Sequence, residues 1–102
     1  MFDQAAERYA TFGLVAKLPS EIIDGIWGII DDDLQGVVTL PRVLQFALIA
    51  RHGQVTAVFD DQQGSIFEFD LPFNYDRAYP ETIAVLDDGH YQTMMLLAEL
   101  QA

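Results

Sequence analysis

The chain has 102 residues, 51% of them hydrophobic and 12% aromatic, and sets 16 Asp and Glu against five Lys and Arg for a formal net charge of -11. The length corresponds to a single domain, residues 1–102, with one core and no room for a cleft between two lobes, and the apolar content excludes a disordered acidic tail. Scarce positive charge excludes direct nucleic-acid binding by counterion release, and the absence of cysteine excludes disulfides, a thiolate nucleophile and cysteine-based zinc sites.

The first eight residues carry Asp3 and Glu7 and no apolar run, which is not the pattern of a signal peptide, and no later stretch approaches the ~20 apolar residues of a membrane-spanning helix. These features, with the lack of cysteine, lead us to expect a cytoplasmic protein with no membrane partner. From Arg8 to Lys17 rings and β-branched residues alternate with small or polar ones, predicting a short strand interrupted at Gly13. Pro19 and Ser20 signal a helix start, with Glu21 in the first turn. Ile22, Ile23, Ile26, Trp27, Ile29, Ile30 and Leu34 then recur at spacings of three and four, which predicts an amphipathic helix from Ser20 to Leu34, with Trp27 in its packed stripe. Gly25 and Gly28 interrupt that helix at a cost of about 1 kcal/mol each relative to alanine, so a close neighbour is expected against them.

After the turn-prone residues 31–36, three runs read as strands of an antiparallel meander: Val43 to Arg51, Val55 to Phe59 and Ser65 to Leu71, divided by turn residues at His52-Gly53 and Asp60 to Gly64. Val43 to Arg51 also fits a helix after Pro41, and strand is the reading adopted. Leu71 to Glu81, with Pro72, Asn74, Asp76 and Pro80, reads as a loop laid over the body. Thr82 to Leu86 is a strand and Asp87-Asp88-Gly89 a tight turn, while His90 to Leu97 fits either a return strand or a terminal helix. The fold class is therefore α+β: one amphipathic helix packed on a mainly antiparallel β-sheet, a meander plus a C-terminal hairpin.

Several segments in order resemble a small Gram-positive bacterial family known as domain of unknown function nine-sixty. They are Arg8-Tyr9-Ala10-Thr11-Phe12-Gly13 with Leu18-Pro19, Trp27 with Ile30-Asp31, Leu44-Gln45-Phe46, and Val85-Leu86-Asp87-Asp88-Gly89 running into Thr93-Met94 and Leu96-Leu97. The resemblance implies a single cytoplasmic domain and assigns no activity, and Arg51 to Tyr79 departs most from the pattern.

Candidates for chemistry are few. His52 and His90 sit beside turns without the acid or nucleophile that a general base needs within reach, and Ser20 and Ser65 occupy no strained elbow. No catalytic constellation and no cofactor are expected. His90 with Asp87 and Asp88 has the donor types of an oxygen-and-imidazole metal site, but a hairpin tip whose carboxylates satisfy their own turn explains the same residues. Asp31, Asp32 and Asp33 face the negative end of a helix dipole if they lie in its last turn, an arrangement divalent ions or a basic partner would relieve; a helix that ends before Asp31 would leave them as solvated loop residues, the plainer reading. Arg8 is expected to pair with one of the many carboxylates.

The favoured function is a non-enzymatic acidic protein-interaction module that binds a basic protein through Asp31, Asp32, Asp33, Asp60 and Asp61. One alternative is a nucleic-acid mimic that inhibits a basic protein. Another is a small metal-binding enzyme using His90, Asp87 and Asp88. A homodimer joined through an unpaired strand edge is compatible with the first reading.

Overall fold

Alternation of apolar and polar residues builds the sheet. In the computed structural model, which describes residues 2–101, the strands are β1 Glu7–Ala10, β2 Val43–Arg51, β3 Gln54–Asp60, β4 Ile66–Asn74, β5 Thr82–Asp87 and β6 Tyr91–Leu96. They lie side by side in the order β1-β6-β5-β2-β3-β4. The expected meander β2-β3-β4 and the β5-β6 hairpin are present, and β5 joins them by pairing antiparallel to β2. The sheet is nevertheless mixed, which corrects the expectation of a mainly antiparallel one: β1 runs parallel to β6, with Arg8 beside Gln92 and Ala10 beside Met94. Parallel neighbours need a crossover connection. Here everything between β1 and β6 serves as that connection, a pairing that no local pattern reveals.

The strand expected from Arg8 to Lys17 ends at Ala10. Thr11 stops it by capping α1 (Phe12–Val15), its Oγ1 accepting the Leu14 N–H at 3.2 Å. At the other end of the chain the two readings of residues 90–97 share the segment, β6 giving way to α3 (Leu97–Gln101). Strand β4 continues through Asn74, where a loop was expected from Leu71. Pro72 is tolerated because the register slips between Gln54 and Thr56, and an irregular stretch of ladder does not need its missing N–H.

The single helix expected from Ser20 to Leu34 is two: α2 (Ser20–Gly28), then a π-helix (Ile29–Leu34) closed by the Gln35 N–H donating to Ile30 O. Nor does α2 have the clean polar face of an amphipathic helix. Ile22, Ile23 and Ile26 are buried, but on another side a Cβ at Gly25 would meet Leu71 at 3.3 Å, and Trp27 is half-covered rather than buried. Gly25 thus has the close neighbour expected of it; nothing approaches Gly28 within 4 Å.

The buried isoleucines of α2 and the π-helix share one core with Leu44, Phe46, Val55, Ala57, Phe59, Ile83 and Val85 from one face of the sheet. Alternation sends Gln45, Ala47, Ala84 and Met95 to the opposite face. Tyr9 and Tyr91 stand half-exposed on that second face in edge-to-face contact, ring centroids 5.6 Å apart. No described helix is long and apolar enough to cross a membrane.

Candidate functional site

Strand order and direction decide where the charge goes. The end of the sheet at which β3 and β5 finish and β2, β4 and β6 begin carries the turns Asp60 to Gly64 and Asp87 to Gly89. The π-helix reaches the same end, since the Gln35 side chain donates from Nε2 to Phe2 O and Gln92 Nε2 donates to Asp3 O at 2.9 Å. Asp3, Asp32, Asp33, Asp60, Asp61 and Asp88 therefore gather on one side of the molecule. Short aspartates at turns are there for local reasons: Asp60 Oδ1 accepts the Gln62 N–H and Asp61 Oδ1 the Gln63 N–H, both at 2.8 Å, and Ser65 N–H also donates to Asp61 Oδ1 at 3.0 Å. Each of these two carboxylates keeps a second oxygen clear of the turn's bonds.

A groove opens beside Asp60 and Asp61. Residues 37–41 form its far wall, and two adjoining cavities of about 580 and 310 Å³ share Pro41, Asp61 and Gln62. Val37, Val38 and Pro41 supply apolar surface, with Val37 66% exposed, and Gln62 and Gln63 add side-chain amides. An aliphatic stem fits the valines and proline while a cationic head meets the carboxylates. No Lys or Arg lines either cavity. Arg42 adjoins the wall in sequence, and its charge acts on Asp88.

The sequence-predicted acids divide into two kinds. Asp31 is committed internally: Arg8 Nη1 and Nη2 donate to its Oδ2 and Oδ1 at 2.7 and 2.6 Å, with both side chains more than four-fifths buried. Arg8 Nε donates to Gln92 Oε1 at 2.8 Å, and the guanidinium lies 4.6 Å from the centroid of the Trp27 ring. This gives Arg8 its carboxylate and removes Asp31 from any binding surface. Asp32 and Asp33 are exposed, and with Asp60 and Asp61 they make no ion pair among the described residues.

Asp87 also points inward. Its Oδ2 accepts the Phe2 N–H at 2.7 Å and its Oδ1 the Gly89 N–H at 2.9 Å. The Phe2 N–H chiefly holds this carboxyl below the usual carboxylate range, against the opposing effect of burial. Asp88 Oδ1 accepts the Tyr91 and His90 N–H groups, which lower its pKa in that order of importance. The three residues singled out for a metal are thus divided, one carboxylate serving the chain's first residues and the other its own turn, and no metal-holding group of three His, Asp or Glu occurs among the described residues.

Sequence reasoning missed the apolar wall at 37–41, because Val37 and Val38 sit in a short segment with no period to read. It also missed the partners of Arg8, since Asp31 and Gln92 come from opposite halves of the chain.

Residues 7–99 match the family described as "Staphylococcal protein of unknown function (DUF960)". The chain is also similar to a crystal structure of a protein of unknown function from Enterococcus faecalis, with 46% sequence identity over 96% of this chain and 93% of that one and a TM-score of 0.92. No curated protein matches it.

Proposed function

The chain belongs to the DUF960 family, whose description names no activity, and from that premise we propose a non-enzymatic interaction module that docks a basic protein on its acidic end. The observation that supports this reading is the convergence of turn carboxylates, outside any ion pair among the described residues, around an apolar-walled groove, Asp61 lining it with Val37 and Pro41 and Asp60 lining its adjoining part with Pro41. A lysine or arginine of the partner lays its methylenes on that wall and its charged head on the carboxylates. Asp32 and Asp33 lie farther along the same end and act mainly on encounter, since rim charges steer association more than they hold a complex.

The test is a titration with a lysine- and arginine-rich peptide, followed by fluorescence anisotropy from low to high salt. Asp60→Asn with Asp61→Asn keeps the Oδ1 acceptors of the turn and removes only charge. This pair should weaken binding about tenfold or more and flatten its salt dependence. Asp32→Asn with Asp33→Asn should slow association with a smaller effect on dissociation. A folded Asp60/Asp61 variant that binds as tightly as the parent at low salt would exclude the groove.

A further inference from the structure

We infer that the end of the molecule opposite the acidic one is a self-association surface, and that its occupant is a second copy of this chain. Phe12 carries the argument. Its side chain is 95% exposed, yet its backbone is held firmly. Leu14 is buried, and Thr11 Oγ1 both accepts the Leu14 N–H and donates to Glu99 Oε1 at 2.7 Å, pinning α1 to the start of α3. A fixed, fully solvated phenyl ring is costly surface for a monomer and the kind of rigid aromatic anchor that interfaces use.

A socket lies one helical turn away. Val15, three residues after Phe12 and 55% exposed, begins a shallow cavity of about 540 Å³ that continues along Ala16 and Pro19 to Tyr79. Knob and socket on one surface are what a two-fold axis requires, because each copy then offers its ring to the other's cavity.

Charge selects the occupant. At a net charge of -11, two copies repel each other almost anywhere on their surfaces. Lys17 lines this cavity beside Asp76, and Arg77 follows in sequence, so two of the chain's five cations fall in or next to this cavity and offset part of the charge of Asp76 and Glu99. A basic partner gains less here than at the acidic end, whereas a second acidic copy meets a surface where cations offset part of the repulsion, with the two acidic ends pointing apart. The strand edge at β4 suits a second copy less well, since Glu68, Asp70 and Pro72 interrupt it.

Sedimentation velocity over a range of protein concentration, at low and high salt, tests the inference independently of what the acidic end binds. The parent should be a reversible dimer whose affinity holds or rises with salt as the net repulsion is screened. Phe12→Glu removes two buried rings per dimer and should raise the dissociation constant on the order of 100-fold or more. Ala16→Glu, on the socket side, should act in the same direction. Far-UV circular dichroism and the melting temperature should stay at parent values, because neither side chain packs in the core. A parent that stays monomeric at millimolar concentration, or a dimer that both variants leave unchanged, would overturn the inference.

Discussion

Asp87 shows how much of this fold hangs on single polar groups. Its carboxylate joins the backbone of the N-terminal segment, at Phe2, to the β5-β6 turn, at Gly89, and Gln92 Nε2 lies 3.5 Å from the same Oδ2. Phe2 is buried behind it at a positive φ of 62°, an uncommon backbone conformation for a bulky residue that the surrounding contacts must hold. An amide at position 87 loses the charge and turns an N–H group toward donors. Asp87→Asn should therefore cost about 1–3 kcal/mol in urea denaturation at pH 7. Because the folded pKa lies below the unfolded value near 3.9, this contribution is fully present above that pH and fades as pH falls through the folded pKa, so the gap between parent and variant should narrow progressively on acidification. A gap of constant size down to pH 2 would mean that packing, not charge, is lost. Legibility at this scale was uneven. Arg8 could be expected to pair, but its choice of Asp31 and its place over Trp27 depend on how β1 and the helical segment that carries both residues meet in the fold. Trp27, read as a core residue, proves to be the platform for that cation.

Among the elements, the runs of strand-forming residues bounded by turn residues were readable at almost their true limits: β2 was predicted at Val43–Arg51, and β3 and β5 were short by a residue or two. The π-helix was not read, although its cause is in the sequence. Asp33 stands at i+7 from Ile26, i+4 from Ile29 and i+3 from Ile30, so a regular α-helix would aim its carboxylate into the apolar stripe. The i→i+5 bonding widens the turn by about a residue and rotates Asp33 out to solvent, while Ile29, Ile30 and Leu34 all stay buried. Deleting Asp32 removes that extra residue and brings Leu34 to the position that Asp33 now occupies in the sequence, in phase with Ile26 and Ile30. The deletion variant should fold with a loss under about 2 kcal/mol, an exception to the usual effect of deletions inside helices. Chemical denaturation decides the point, and a variant that fails to fold would show that the wide turn is needed for another reason.

For the whole molecule, the composition announced an acidic surface but not its polarity. Turn acids at both hairpins could be read from the chain, whereas strand order alone places them together and leaves Lys17, Arg51 and Arg77 toward the far end. The groove was half legible for the same reason: Asp60 and Asp61 stood out, and the opposite wall did not. Crowding like charges at one end strains the folded state more than an even distribution does. Raising sodium chloride from about 20 to 500 mM should therefore increase the melting temperature by about 4 °C, equivalent to roughly 1 kcal/mol for a domain of this size. Differential scanning calorimetry checks this, and a falling melting temperature would mean that the Arg8 and Arg51 pairs outweigh the repulsion.

The parallel pairing of β1 with β6 also imposes an order of events. Arg8 and Gln92 are separated by 84 positions, and neither the β1 backbone nor the Arg8 Nε has its partner until β6 is in place. On a ribosome, β2, β3 and β4 can zip locally as they emerge, but β1 must wait, made but unmatched, while β2 to β5 are synthesised. Among these strands β1 is thus made before the others and seated last, and the growing chain carries an open seam along β5 until β6 arrives.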